Sequence, residues 1–291
     1  MKYKDIIYEK KGPIAYITLN RPEKLNALAT PPPSPCLMDE WEDAVMDVDG
    51  DDNIRVCIIK GAGRGFSSGY DIGPNPDRPE SIINREMNME KYDRMAHHQM
   101  RYFYYLWDNR KPFIAQVHGF CLAGANDMAG FCDISVAAEN AVFGYPVVRQ
   151  GDITTTQIWP WLIGMKHTRE LMYTGNMISA QQAYDWRLVT KVVPLDKLEE
   201  EVHKYAEAIC NMPAMSVRLA KVSVNQQFEI MGIRPAIQQH KELKVLAGLT
   251  YGPEKEQYQK IFQEEGLKAA LEWRDSRFSP TAEASLRARK I

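Results

Sequence analysis

Val117-His-Gly-Phe-Cys-Leu-Ala-Gly-Ala-Asn-Asp-Met-Ala-Gly-Phe-Cys-Asp133 is the stretch on which the reading of this chain turns. An apolar, β-branched run ends at Gly119, and the small residues Ala123, Gly124 and Ala125 open a helix. The first amides of a helix have no acceptor inside it and sit at the positive end of its dipole, which suits a developing oxyanion. Asp127 falls on the first turns of that helix. The competing reading is structural: small residues for close helix packing, and Asp127 as a solvated or capping acid.

Upstream, Ile58-Ile-Lys-Gly-Ala-Gly-Arg-Gly-Phe-Ser-Ser-Gly-Tyr-Asp-Ile72 reads as a strand running into a glycine-rich turn. No Gly-Lys-Ser/Thr follows, and Gly61, Gly63 and Gly65 lack the GxGxxG spacing, so neither a phosphate loop nor a dinucleotide turn fits. On its own this segment is either a surface turn or an anion site.

The surroundings place both segments in an α/β protein. Short β-branched runs at Ile14–Leu19, Ile54–Lys60, Ile114–Val117 and Ile134–Ala137 alternate with helical patterns, including Asn88–Trp107. From Ser179 onward the pattern predicts helices alone: a capping box at Ser179-Ala-Gln-Gln182, then Asp196–Asn211, Pro213–Phe228, Pro235–Leu249 and Pro253–Arg274. Thr30-Pro-Pro-Pro-Ser-Pro35 excludes a helix before Cys36. Gly73–Pro79 reads as a mobile loop.

Composition narrows the function classes. The 291 residues carry 36 basic and 38 acidic side chains, a net charge of -2 without a basic block, so nucleic acid is excluded as an expected partner. Five cysteines with no CxxC pair, no apolar leader and no long apolar run lead to the expectation of free thiols, no membrane insertion and a cytoplasmic enzyme.

Taken together, Asn20-Arg-Pro-Glu-Lys-Leu-Asn-Ala-Leu28, Phe66-Ser-Ser-Gly-Tyr-Asp-Ile72, His118–Asp127 and Phe131-Cys-Asp-Ile134 closely resemble the ordered signatures of the crotonase (enoyl-CoA hydratase/isomerase) superfamily. The likeness continues through Phe143-Gly-Tyr-Pro146, Leu171–Gly175 and Val192-Val-Pro194, and covers most of residues 3–278. It implies a spiral of ββα repeats over residues 1–194, a C-terminal helical trimerisation region over 195–291, and assembly into a homotrimer or hexamer. By position it implies an oxyanion hole from the backbone amides of Tyr70 and Gly124. It also implies binding of a small acyl-CoA substrate by Lys24, Leu25, Ala27, Ser68, Asp71, Ile72 and Phe278, with no cofactor beyond the coenzyme A of the substrate and no metal.

The sequence departs from that pattern where hydratases of the family place two glutamates. The first position holds Asp127 and the second Val147, which can neither give nor take a proton. Tyr145 and Asp152 are the candidate replacements, with Arg149 and Thr154-Thr-Thr156 nearby. Asp152 is equally readable as an N-cap of the next helix, Arg149 as a surface or CoA-phosphate contact, and Tyr145, Trp159 and Trp161 as packing. His97 and His98 read as one exposed and one packed residue of a helix.

The functional expectation is an enzyme of the hydratase/isomerase type with Asp127 as acid/base. The alternatives are a C–C hydrolase opening a cyclic β-keto substrate, favoured by Val147 and the aromatic bulk, and a catalytically silent oligomeric homologue.

Overall fold

Strands β1 (Ile6–Lys11) and β2 (Ile14–Leu19) form an antiparallel hairpin. The computed structural model describes residues 3–31, 34–73 and 89–278, so part of the proline run and most of the Gly73–Pro79 loop lie outside the described residues. Helix α1 (Leu37–Gly50) starts directly after the prolines, with Cys36 at its N-cap and the Asp39 carboxylate accepting the Cys36 amide at 3.1 Å.

The chain then repeats one theme. Strand β3 (Val56–Gly61) leads through the glycine turn to α2 (Met89–Asp108). Strands β4 (Phe113–Val117) and β5 (Phe120–Leu122) lead to α3 (Gly124–Phe131). Strands β6 (Ile134–Ala138) and β7 (Val142–Gly144) lead through a 3₁₀ turn, Pro146–Gln150, to α4 (Trp159–Thr174). Next come β8 (Met177–Ser179), α5 (Ala180–Asp185) and β9 (Lys191–Val193). Five helices close the chain: α6 (Leu198–Asn211), α7 (Ala214–Ile230), α8 (Ile233–Leu249), α9 (Pro253–Glu265) and α10 (Leu267–Ser276).

The larger sheet runs β1-β2-β3-β4-β6-β9, parallel except for β1, and the smaller runs β5-β7-β8. A bridge between Ser67 and Cys121 carries the smaller sheet's direction back to the turn after β3. Successive turns of the chain thus add one strand to each sheet and one helix, the ββα spiral expected from the sequence.

Both faces of the larger sheet are covered, which explains its continuous apolar runs. Along β3, Cys57 and Ile59 face the main core, while Val56 and Ile58 face a second cluster capped by Leu198, Val202 and Ala206 of α6. Burying a side chain such as Val202 contributes roughly 1.5–3 kcal/mol.

Two sequence expectations are corrected. Strands do not end at Ser179, because β9 pairs in parallel with β6 at the sheet edge. The pattern Pro253–Arg274 is two helices, broken at Gly266 with φ 89°. The Ser179 capping box forms as read: the Ser179 hydroxyl accepts from the Gln182 amide, and the Gln182 side chain accepts from the Ser179 amide. Among the described residues, no helix is long and apolar enough to cross a membrane.

Candidate active site

The Asn20–Leu28 motif is a brace. Asn26, fully buried, donates from its side chain to the carbonyls of Ala62 (2.7 Å), Gly65 (2.9 Å) and Phe66 (3.2 Å), fixing the glycine turn after β3. Ser67 donates its hydroxyl to the Asn26 carbonyl at 2.8 Å. Leu28 forms a parallel bridge with Tyr70: its amide bonds the Gly69 carbonyl, and its carbonyl receives the Asp71 amide. The Tyr70 amide therefore points the opposite way.

The Gly69-Tyr70 turn packs against the start of α3. Gly69 has φ 93°, and a Cβ there would lie 2.7 Å from the Leu122 carbonyl oxygen and 2.8 Å from the Ala123 Cβ. Glycine is required for the approach as well as for the dihedral. A Cβ on Gly124 would meet the Tyr70 ring at 2.5 Å. Gly69-Tyr70 and Ala123-Gly124 are thus in direct contact. Gly124 is the first residue of α3, so its amide has no intrahelical acceptor. Ala123, at φ 49° and ψ -124°, makes the sharp turn from β5 into the helix, a conformation of the kind that costs on the order of 1–3 kcal/mol in a non-glycine residue.

On the next face of α3, Asp127 is fully buried, which overturns the solvated or capping reading. Its Oδ2 accepts from the Tyr145 hydroxyl at 2.7 Å, and that hydroxyl in turn accepts from the Thr155 amide at 3.2 Å. Asp127 Oδ1 is buried without a hydrogen-bond partner among the described residues, as are the hydroxyls of Thr156 and Tyr70. Burial pushes the Asp127 carboxyl up to about 8, against the downward pull of Tyr145, Thr156 and the Lys244 charge. Burial and the neighbouring Asp127 push the Tyr145 phenol well above its ordinary range.

Asp152 lines the pocket and has partners of another kind. The Lys244 ammonium from α8 donates to its Oδ2 at 2.6 Å and to the Ile153 carbonyl at 3.0 Å, and the Ile153 amide bonds its Oδ1 at 2.8 Å. Both side chains are almost fully buried. No helix begins after Asp152 until Trp159, so the N-cap reading is overturned. Arg149 is likewise no surface residue: it is buried, bonded to Asn176 at 3.0 Å, and lies under the Phe278 ring at 4.3 Å. Trp159 packs edge-on to Tyr145 and Trp161 to Phe228, as packing residues. His97 is exposed and His98 half-buried on α2. Among the described residues, no group of His, Cys, Asp and Glu is placed to hold a metal ion.

Tyr70, Tyr145, Val147, Asp152 and Lys244 wall a pocket of about 80 Å³, with Ser68 and Ile72 on its rim side of the chain. Leu25 is tied to this wall, its carbonyl accepting the Ser68 amide at 3.0 Å, and Ala27 accepts from Arg21 at 2.6 Å. Asp71 pairs with Arg21 at 2.9 Å and with Lys24 at 3.7 Å. Burial would raise the Asp71 carboxyl, but the Gly73 amide and Arg21 outweigh it and hold it below the usual range. Phe278 sits apart from these, against Arg149 and Arg277. Sequence reasoning missed Lys244, Gln99 and Arg274, which also wall the pocket. They lie on helices far along the chain from the motifs, where an isolated polar residue carries no signal.

A family model described as enoyl-CoA hydratase/isomerase matches residues 9–280. The chain belongs to the enoyl-CoA hydratase/isomerase family, within the crotonase superfamily. It is 34% identical over 284 residues to a crotonyl-CoA hydratase of Syntrophomonas wolfei, covering 96% of this chain and 99% of that protein. A probable mitochondrial enoyl-CoA hydratase of Dictyostelium discoideum is 36% identical, with 76% of each chain covered. Among solved structures, an enoyl-CoA hydratase/isomerase from Xanthobacter autotrophicus Py2 superposes with a TM-score of 0.87 at 30% identity, covering 96% of this chain and all of that one. The crotonase fold therefore stands, with Val147 in the pocket wall.

Proposed function

We propose that this member is an acyl-CoA enzyme that stabilises a thioester enolate between the Tyr70 and Gly124 amides and moves the proton with Asp127. The observation that carries the reading is Asp127 itself. It is an acid buried beside the start of α3, held at one oxygen by Tyr145 and left with its other oxygen unpaired, with its titration raised to about 8. A group titrating near the working pH can serve as both acid and base. Two preorganised amides facing a thioester oxygen supply the complementary term, each worth about 3 kcal/mol in comparable sites.

Tyr145 holds Asp127 in place, and Asp152, occupied by Lys244, shapes the pocket without moving a proton. Lys24, Leu25, Ala27, Ser68, Asp71, Ile72 and Phe278 are proposed to border the CoA portion. The exposed apolar side chains of Met215, Leu219, Val224 and Ile230 along α7 support assembly into a trimer or hexamer. Light scattering that returns a 33.3 kDa monomer contradicts that part.

Val147 favours a second reading. With Asp127 as the single acid to position it, water would attack the ring ketone of a cyclic β-keto acyl thioester, the ring C–C bond would break to give a carboxylic acid, and the departing thioester enolate, held by the oxyanion site, would then take up a proton. Mass spectrometry of the purified protein with enoyl-, β-hydroxy- and cyclic β-keto-acyl-CoA esters separates the two. Gain or loss of water on the linear esters supports the first, ring opening supports the second, and inertness toward all of them removes the enzyme reading.

A further inference from the structure

Tyr70 enters the site twice, through its amide and through its ring. The ring covers Gly124 so closely that a single added methyl group would collide with it at 2.5 Å, and it forms one wall of the pocket. The pocket offers about 80 Å³, well below the roughly 300–1,000 Å³ of sites that take drug-sized ligands. The opposite aromatic wall is locked, since Tyr145 is bonded to Asp127 and to the Thr155 amide and packs against fully buried Trp159. Tyr70 differs: its hydroxyl is buried with no hydrogen-bond partner among the described residues.

We propose that the Tyr70 side chain determines acyl-chain length, its ring closing the pocket at Gly124 so that the site takes short acyl groups and excludes long alkyl chains. The inference rests on the acyl-thioester reading above and deepens it. Its physical basis is steric. An alkyl chain continuing past the oxyanion site toward α3 would have to occupy the volume of the ring, and close-packed walls do not yield that volume cheaply. The residue is separable from the chemistry, because every side chain but proline leaves the amide at position 70 in place.

The test is calorimetric binding of butanoyl-CoA and octanoyl-CoA, saturated thioesters with no double bond to hydrate, to wild type, Tyr70→Phe, Tyr70→Leu and Tyr70→Ala. Wild type and Tyr70→Phe should both prefer butanoyl-CoA. In Tyr70→Ala the affinity ratio should move toward octanoyl-CoA by at least about tenfold, since each methylene transferred from water into a pocket is worth about a factor of four. Tyr70→Leu should shift in the same direction and carries the test if the alanine variant does not fold. An unchanged ratio in both Tyr70→Ala and Tyr70→Leu overturns the proposal while leaving the acyl-thioester reading intact, provided butanoyl-CoA binds wild type. A Tyr70→Phe variant that behaves like Tyr70→Ala also overturns it, because the hydroxyl and not the ring would then discriminate. Failure of wild type to bind either thioester removes both the inference and the reading beneath it.

Discussion

Asp152 lines the pocket and Asp127 lies fully buried behind it, bonded to the wall residue Tyr145, and the partners of these two buried acids differ in kind. Asp152 has a lysine ammonium at 2.6 Å and a backbone amide on its other oxygen. Asp127 has a phenol at 2.7 Å and an oxygen with no partner among the described residues. Burial without a contacting cation raises the Asp127 titration toward neutrality, whereas Asp152 is tied into an ion pair with Lys244. Proximity to a pocket therefore does not make an acid a proton donor; the partner decides.

The largest expected effect breaks this contrast on the Asp127 side. Asp127→Asn keeps shape and should keep thioester affinity, and melting temperature below about pH 4, while turnover falls about a hundred- to ten-thousand-fold. Steady-state kinetics with equilibrium binding on the same preparation decides it, and full activity would move the chemistry to another group.

Asp152→Asn should act on stability. Removing one partner of a buried pair leaves Lys244 uncompensated, a loss of about 3–5 kcal/mol in denaturant unfolding. Asp152→Asn combined with Lys244→Met should recover most of it. A stable, inactive Asp152→Asn protein would instead make Asp152 part of the chemistry.

The pH dependence of stability sharpens the same comparison. Folded Asp127 holds its proton up to about pH 8, whereas the unfolded carboxyl releases it near its ordinary value of 3.8. The folded state thus binds more protons between these limits, so this contribution is fully present below about pH 4 and is lost as pH rises through 8. Wild type should lose stability relative to Asp127→Asn across that window, by at most about 1.4 kcal/mol per pH unit. A flat difference would show that Asp127 is ionised throughout.

The smallest effect belongs to Tyr145→Phe. Its hydroxyl pulls the Asp127 titration down, so phenylalanine should raise it further and shift the pH optimum upward, with about a fivefold rate loss for one hydrogen bond of about 1 kcal/mol. An unshifted pH profile would detach Tyr145 from Asp127.

The sequence revealed what backbone geometry dictates locally. Gly69 and Gly124 are where they are because no side chain fits between Tyr70 and α3, and that need leaves a written trace. The position of Asp127 on α3 followed from helical spacing. The state of Asp152 could not be read, because Lys244 stands 92 residues away on another element and nothing near Asp152 announces it. The capping reading failed for a related reason: the chain after Asp152 runs without a helix to Trp159, so there was no end to cap. Strand β9 escaped notice because three residues at a sheet edge are too short for a period of two to register.

The account depends most on Asp127 being protonated near neutral pH. Titration of its side-chain carboxyl carbon by isotope-edited NMR, assigned by loss of the signal in Asp127→Asn, measures this directly. The expected midpoint is about 8; a midpoint near 4, the ordinary carboxylate value, would contradict it.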